Sequence, residues 1–451
     1  MSKHEKFNFK TLDEIKSKVN ELGVKINFDE DFSPLWQPKK IGKKIAPNSF
    51  AVLPMEGCDS NSDGSPSELV YARYKKLAAG GYGLIWWEAN AVVEEGKANE
   101  LQMMLTASNR AKFNALLDEV NKIAMDTWGH KPIHILQLTH SGRYARPEGH
   151  IARPLVPQHD PQLDKGNEII VSDEYLDGLT YRYVESAKLA KEVGFDGVDI
   201  KACHRYLVSE LLASHTRVGK YGGSFENRSR FLIQTIKAVK KELGEDFIVA
   251  SRFNVYDAHP YPYGFGVDKD DMWKFDESEP VALVKAMVEA GVELLSNSGG
   301  NPYYIYPQVT RPFDMSSYGI PTPDEHPLES IERLHYLTSV VQKAAGDVPV
   351  VGNGYSWLRQ FIPYVGSANL KDHKCSLIGF GRSSFAYPDA PKDIKENGQM
   401  DPNKCCIACS KCTQIMRDHG TTGCVIRNSS VYAPLYKKFN DEAVIRENRK
   451  K

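Results

Sequence analysis

Five of the chain's eight cysteines lie within twenty residues, from Cys405 to Cys424. The spacing C-x2-C-x2-C-x11-C is formed by Cys406, Cys409, Cys412 and Cys424. Three close thiolates plus one distant thiolate are typical of iron–sulfur clusters. Structural zinc more often uses two separated cysteine pairs, and this chain has one such group. The pattern favours a 4Fe-4S cluster with Cys405 as an alternative first ligand, and it leaves open a zinc site, disulfides or thiols that bind nothing.

The composition excludes several classes of partner. The 451 residues carry a formal net charge of −1 with 25% charged side chains, so no overall field attracts nucleic acid. The polar N-terminus lacks the apolar stretch of a signal peptide, and no run of about 18 apolar residues occurs. Clustered cysteines suit a reducing compartment. We therefore expect a cytoplasmic protein that binds neither nucleic acid nor membrane.

Short apolar runs alternate with helical periods from residue 48 onward, which predicts repeated βα units. The predicted strands cover residues 49–54, 83–88, 133–138, 197–200, 247–253, 292–296, 348–351 and 376–380. Eight strands separated by helices favour a (β/α)8 TIM barrel, although strand counting also allows an open doubly wound sheet.

The ends of the chain differ in composition from this repeating region. Residues 1–40 are predicted to form an N-terminal arm with a helix at Leu12–Leu22, and residues 41–390 the barrel. Residues 391–451 are predicted to form the cysteine segment and a polar tail. The stretch 387–403, rich in Pro, Asp and Lys, is predicted to be a loop that leads out of the barrel.

Polar residues follow several predicted strands, and the carboxyl ends of barrel strands are where catalytic residues collect. The runs are Pro54–Cys58, Glu88–Ala91, Gln137–Arg143, Lys201–Tyr206 and Ser251–Phe253. Each has an ordinary structural explanation alone, as a turn or an ion pair. Together on one rim they predict a polar pocket.

Glycine-rich runs follow the last two strands. Gly352–Gly354 and Gly379–Arg382 place small residues beside an arginine, at the usual phosphate site of such barrels. This predicts a cofactor that carries phosphate. No G-x-G-x-x-G run opens a helix after a strand, so we expect no Rossmann unit.

Two runs resemble the signature of the old yellow enzyme family of FMN-binding barrels. They are Val198–Leu207 and the Tyr-Gly-Gly-Ser-Phe-Glu-Asn-Arg run at Tyr221–Arg228. The similarity covers roughly residues 33–390. The cysteine run extends it to about residue 430 and resembles the iron–sulfur branch, which includes 2,4-dienoyl-CoA reductase and trimethylamine dehydrogenase.

The resemblance implies FMN and assigns residues to it. Pro54, Met55 and Ala89 match positions along the isoalloxazine ring, and Gln137 matches the amide at the pyrimidine edge. Arg252 matches the cation beside flavin N1 and O2, where charge develops on reduction. The phosphate cradle matches Asn353, Gly354, Gly381 and Arg382.

The resemblance also implies catalytic residues. Tyr206 matches the phenol that delivers a proton, and His204 matches a residue that binds the substrate carbonyl. Lys201 departs from the usual residue of the carbonyl-binding pair: its ammonium would polarise a carbonyl, bind a carboxylate, or pair with a nearby acid. Glu56 stands where some relatives have a cysteine, so covalent flavin is not expected. The cluster spacing matches neither named branch member.

The implied activity is FMN-dependent reduction of an activated C=C bond in a small unsaturated substrate, with the cluster relaying electrons. Only 27 residues follow Cys424 in the 451-residue chain, so we expect a separate donor: a ferredoxin, a flavodoxin or a partner flavoprotein.

Three different functions also fit parts of the pattern. The first is an oxidative C–N dehydrogenase, which an aromatic cage for a cationic substrate would support. Tyr303, Tyr304 and Tyr306 are candidates for such a cage. The second is a non-catalytic electron-transfer subunit, and the third is a non-redox barrel that binds zinc. The sequence does not decide whether the protein forms a homo-oligomer.

Overall fold

The computed structural model describes residues 4–303, 312–313 and 322–447. Eight parallel strands close into a barrel in the order β3-β4-β5-β8-β9-β10-β11-β12, with β12 pairing to β3. The strands are β1 (Lys39–Ile41), β2 (Lys44–Ala46), β3 (Phe50–Val52), β4 (Leu84–Ala91), β5 (Ile133–Thr139), β6 (Leu155–Val156), β7 (Ile169–Ile170), β8 (Gly197–Ile200), β9 (Ile248–Tyr256), β10 (Leu294–Gly299), β11 (Val350–Gly352) and β12 (Leu377–Phe380). The predicted TIM barrel and all eight of its predicted strands are confirmed.

Helices surround the barrel and follow its strands. They are α1 (Leu12–Leu22), α2 (Glu68–Gly80), α3 (Arg110–Trp128), α4 (Asp173–Val193), α5 (Leu207–Leu212), α6 (Phe225–Leu243), α7 (Ser278–Glu289), α8 (Pro327–Ala345), α9 (Ile362–Lys371), α10 (Arg382–Ala386), α11 (Ala390–Asn397), α12 (Lys411–Arg417) and α13 (Ser429–Glu447). Local sequence sets their ends. The side chain of Ser172, for example, caps α4 by accepting a hydrogen bond from the Tyr175 amide, and Gly194 ends that helix at φ 106°.

Alternation along the strands divides the barrel into an interior and an outer layer. In β5, Ile133 and Ile135 belong to the interior cluster, whereas Leu136 and Leu138 pack against the helices. Because side chains alternate along a strand, Gln137 is the next residue to face inward. The same parity directs Asp199 of β8 and Arg252 of β9 inward, so polar side chains replace apolar ones toward the carboxyl ends.

The other end of the barrel is closed by a hairpin. Strands β1 and β2 pair antiparallel, and their residues Ile41 and Ala46 are fully buried in the interior cluster. Helix α1 packs beside the barrel through Ile15 and Val19. The barrel interior is therefore apolar and plugged at its amino end, which leaves the carboxyl end for a ligand.

The segment after the barrel differs from the expectation of a loop over residues 387–403. Helix α11 occupies Ala390–Asn397, because Pro391 suits the first turn of a helix and Gly398 ends it in the left-handed conformation at φ 68°. The described part of the predicted polar tail, up to Glu447, is also helical, as part of α13. Among the described residues, no helix is long and apolar enough to cross a membrane.

The Tyr-Gly-Gly-Ser-Phe-Glu-Asn-Arg run has a structural role. Arg228 is buried at the start of α6, where it donates hydrogen bonds to the carbonyl oxygens of Leu212 and Gly223. It also forms an ion pair of 2.5 Å with Glu279. The guanidinium thus ties the loop after α5 to helices α6 and α7.

We expect Arg228→Met to lower the free energy of unfolding by about 3 kcal/mol, because it leaves two carbonyls and a carboxylate without their buried donor. Denaturant unfolding measures this. Arg230→Met is the matched control: Arg230 lies two residues away and is exposed, so its loss should cost less than about 1 kcal/mol. Equal effects of the two substitutions would contradict the structural role.

Candidate functional site

A cavity opens at the carboxyl end of the barrel, with about 1130 Å³ of free space including its mouth. The predicted site residues that line it are Pro54, Met55, Gln137, Lys201, His204, Tyr206, Arg252, Asn353, Gly354, Gly381 and Arg382. Ala89 is not among the lining residues. It is buried behind them in β4, where its carbonyl oxygen accepts a hydrogen bond of 3.4 Å from Gln102.

Two guanidinium groups in the cavity lack a counterion. In the described part of the chain, no carboxylate forms an ion pair with Arg252 or Arg382, and the Nε atom of each is buried without a hydrogen-bond partner. Burial lowers the pKa of Arg382. Because an unpaired buried charge is unfavourable, these two cations fit an anionic ligand. A phosphate beside Arg382 and a flavin ring beside Arg252 would satisfy both.

The Asp199 carboxylate fixes the cavity floor. Its Oδ2 accepts hydrogen bonds from Gln137 Nε2 at 2.6 Å and from Trp86 Nε1 at 2.9 Å, and its Oδ1 accepts one from the Arg252 amide at 2.8 Å. The amide nitrogen of Gln137 is thereby engaged, so its oxygen is left to accept from a ligand. Sequence reasoning missed Asp199, although an acid inside a short apolar strand was a usable signal.

A chain of polar contacts surrounds Tyr206. Its hydroxyl lies 3.0 Å from that of Tyr303, and its ring lies beneath Lys201 Nζ, 3.9 Å from the ring centroid. Burial, and then the Glu56 charge, raise the pKa of Tyr206 well above its usual range. The phenol therefore keeps its proton at neutral pH and can act as a donor.

Lys201 is paired with an acid. Its Nζ lies 3.3 Å from Glu56 Oε1, and the two side chains are 3% and 13% exposed. Both residues line the cavity. The structure thus identifies Glu56 as the acidic partner that the sequence left unnamed.

His204 sits on a strained turn. Its φ is 64°, in the left-handed region, and its amide donates a hydrogen bond of 3.0 Å to Asn254 Oδ1. Arg205 follows at φ 57°, held by ion pairs with Asp160 and Asp257. Burial lowers the pKa of His204 well below its usual value, and the nearby cations lower it further. The imidazole is therefore neutral at pH 7 and offers a hydrogen bond without a charge.

The aromatic residues around the site form a group that sequence reasoning named only in part. Tyr144 lies 4.2 Å from Tyr303 and 5.9 Å from Tyr206, measured between ring centroids. Tyr303 lines the cavity, whereas Tyr144, which the sequence did not single out, packs against the Tyr303 ring and is not among the lining residues. Tyr304 and Tyr306 lie outside the described residues.

A second cavity adjoins the first and holds the predicted cluster ligands. Cys406, Cys409, Cys412 and Cys424 all line it, together with Arg382 and Phe313. Cys405 lies apart, and its thiol donates to the Asp401 carbonyl at 3.4 Å. The structure therefore brings the four predicted ligands to one cavity and leaves Cys405 outside it.

The four thiols line this cavity but are not gathered closely around one point. Among the described residues, no group of three or more His, Cys, Asp or Glu side chains is arranged to hold a metal ion. Phe313, Arg382 and Cys412 line both cavities. These three residues therefore lie between the cysteine cavity and the barrel cavity.

The cysteine segment is also fastened to the loops of the barrel rim. The Thr422 amide donates a hydrogen bond of 2.6 Å to the Gly57 carbonyl, and the Arg417 guanidinium donates to the Pro302 carbonyl. Gly57 follows Glu56, and Pro302 precedes Tyr303. The segment thus holds the two loops that carry these side chains.

Comparison with known proteins gives a family. The model of the NADH:flavin oxidoreductase / NADH oxidase family matches residues 34–272. An NADH oxidase from Thermoanaerobacter brockii is 28% identical over 428 residues, which cover 90% of this chain and 59% of the relative. A cinnamate reductase from Clostridium sporogenes is 27% identical over 421 residues, which cover 88% of this chain and 58% of the relative. This chain thus spans slightly under three fifths of both relatives.

The fold comparison agrees with the barrel. The structure of 2-naphthoyl-CoA reductase in complex with 2-naphthoyl-CoA aligns with a TM-score of 0.72 at 21% identity. The alignment covers 91% of this chain and 58% of that chain. The alignment therefore supports a shared fold, both for the barrel and for the region that follows it.

The Asp199 carboxyl should make the FMN-free protein less stable as pH rises. Burial raises its pKa from 3.8 to about 7, so between these values the native state keeps a proton that the unfolded state has released. Stability is therefore lost as pH rises through this window. Between pH 5 and 7, we expect the free energy of unfolding of the wild type to fall by about 2 kcal/mol more than that of Asp199→Asn. Denaturant unfolding of both proteins at each pH measures the difference, and parallel curves would contradict it.

Proposed function

This chain belongs to the NADH:flavin oxidoreductase / NADH oxidase family, and we propose that within it the protein is an FMN-dependent reductase of activated C=C bonds with a 4Fe-4S cluster. The observation that carries the proposal is that a neutral, buried phenol, Tyr206, lines the barrel cavity together with His204 and Lys201. One relative is named cinnamate reductase, after an unsaturated acid, and this name supports the reduction of a C=C bond.

One group of cavity residues would bind FMN. Pro54 and Met55 would lie along the ring of FMN, Gln137 at its pyrimidine edge, and the residues Asn353, Gly354, Gly381 and Arg382 around its phosphate. When bound, FMN supplies hydride transfer to the β-carbon of the alkene. Arg252 would hold a positive charge beside the ring, where it would stabilise the negative charge that develops on reduction.

The substrate-facing residues activate and protonate the alkene. His204 and Lys201 donate hydrogen bonds to the carbonyl oxygen, which draws electron density from the double bond. Tyr206 then gives its proton to the α-carbon. The hydrogen bond between its hydroxyl and that of Tyr303 supports this step, since it both orients the phenol and offers a path for its reprotonation.

An oxidative C–N dehydrogenase is the second candidate, and the rings of Tyr206 and Tyr303 in the cavity are the observation that favours it. A cage of this kind attracts an ammonium group. Here, however, the ammonium of Lys201 already lies 3.9 Å from the centroid of Tyr206. A substrate ammonium would have to displace Lys201 from that ring, so we retain reduction of C=C as the main proposal.

The direction of electron flow tests the function. Enzyme reduced with dithionite under anaerobic conditions should be reoxidised by an α,β-unsaturated ketone or acid, as the flavin absorbance near 450 nm returns. Oxidised enzyme should not be bleached by tertiary or aromatic amines. Bleaching by an amine, with no reoxidation by any alkene, would overturn the proposal in favour of the dehydrogenase.

We expect Tyr206→Phe to slow reoxidation by the alkene about 100-fold or more, because a general acid typically contributes that much. Its flavin spectrum should be unchanged. Tyr82→Phe is the matched control, since it removes another buried hydroxyl, one without a hydrogen-bond partner in the described structure. An unaltered rate in Tyr206→Phe would remove the phenol from the reaction.

The four thiols that line one cavity support the proposed 4Fe-4S cluster. Arg382 lines both this cavity and the barrel cavity, so it connects the two proposed cofactor sites. We further propose that electrons arrive at this segment from an acidic carrier protein, a ferredoxin or a flavodoxin. Residues 405–438 support this, because they contain five basic residues against one acid in a chain of net charge −1. The basic residues are Lys411, Arg417, Arg427, Lys437 and Lys438, and the acid is Asp418.

We expect Cys406→Ser to lose iron and sulfide while it retains FMN, and Cys405→Ser to keep all three, because only Cys406 lines the shared cavity. Iron, sulfide and FMN content per chain measure this. The Cys406 variant should also lose turnover driven by reduced ferredoxin, while FMN reduced directly by dithionite still reacts. Stoichiometric zinc in the wild type would contradict the proposed iron–sulfur cluster. Full turnover with NADH and no carrier would contradict the proposed carrier protein.

A further inference from the structure

We propose that the site selects alkenes activated by an uncharged carbonyl, such as a ketone, ester or thioester, over those activated by a free carboxylate, and that Glu56 sets this selectivity. The inference rests on the proposed function and names its substrate class. Its basis is the ion pair between Glu56 and Lys201, inside the cavity and next to the proton donor.

Glu56 already occupies a place that a substrate carboxylate would seek. The Lys201 ammonium lies 3.3 Å from Glu56 Oε1, and both side chains are largely buried. A substrate carboxylate would have to displace Glu56 or share the ammonium with it. Sharing would place two negative charges around one cation where solvent screens them poorly.

A neutral carbonyl meets no such conflict. The ammonium has three N–H donors, and Glu56 takes one of them, so others are left for an uncharged oxygen. His204 adds a neutral donor in the same cavity. Negative charge then appears on the carbonyl oxygen only as the reaction proceeds, which is when the ammonium of Lys201 stabilises it most.

The remaining cations do not offset this preference. Arg252 and Arg382 line the same cavity, but bound FMN would bring its phosphate and its ring against them. The charge that is left for a substrate is that of the Lys201–Glu56 pair, which is zero. The substrate side of the cavity is therefore polar without being cationic.

The test compares two probes with the same carbon skeleton, cinnamate and methyl cinnamate, on FMN-loaded enzyme. Stopped-flow reoxidation of the reduced flavin gives a rate constant and an apparent Kd for each probe. The two probes differ in intrinsic reactivity, so the informative quantity is the change in their ratio between variants. We expect Glu56→Gln to raise the efficiency ratio of cinnamate to methyl cinnamate at least tenfold, mainly through a lower Kd for cinnamate.

Two further variants test the same efficiency ratio. Lys201→Gln should move the ratio the opposite way, because it leaves the Glu56 carboxylate without its cation, and it provides an answer if Glu56→Gln fails to retain FMN. Glu94→Gln is the matched control: Glu94 also pairs with a lysine, Lys97, at 2.9 Å, but neither residue lines the cavity. That control should leave the ratio unchanged.

The outcomes separate the two proposals. If neither probe nor any other alkene reoxidises wild-type flavin, the proposed function fails and the inference falls with it. If methyl cinnamate reacts but the ratio stays constant in Glu56→Gln and Lys201→Gln, the reductase stands and the selectivity inference is overturned. A ratio that shifts toward the ester in Glu56→Gln would overturn it as well.

Discussion

The site depends on one buried carboxylate at the level where the barrel interior changes from apolar to polar. Asp199 lies above the interior cluster and binds Trp86, Gln137 and the backbone of Arg252, which come from β4, β5 and β9. Three strands are thus linked through a single side chain. Because the carboxylate engages the amide nitrogen of Gln137, it also determines which atom of that side chain faces a ligand.

Much of the fold could be predicted because local patterns carry it. Each barrel strand is a short apolar run, and strict alternation from Ile133 and Ile135 is enough to direct Gln137 inward. The same parity would have directed Asp199 inward. Its contacts were missed because they join residues that are far apart in the sequence, and the parallel pairing of β4, β5, β8 and β9 brings those residues together.

The remaining differences also come from distant contacts or from weak local signals. Glu56 and Lys201 are 145 residues apart, so no local pattern pairs them. The separation of Cys405 from its neighbour depends on how the segment folds against the barrel, whereas the spacing alone leaves both cysteines available. Helix α11 was missed because its charged and proline residues suggested a loop, although Pro391 and Gly398 are also ordinary signals for the two ends of a helix.

The fastening of the cysteine segment to two rim loops has an evolutionary consequence. Loops at the mouth of a barrel normally vary in length with little effect on the scaffold, and substrate range diverges through them. Here the backbone of Gly57 and of Pro302 is held by Thr422 and Arg417. An insertion between those two anchors would move both loops and the thiol of Cys424 together. Divergence at this site should therefore proceed by substitution of side chains, with the length of this segment kept constant.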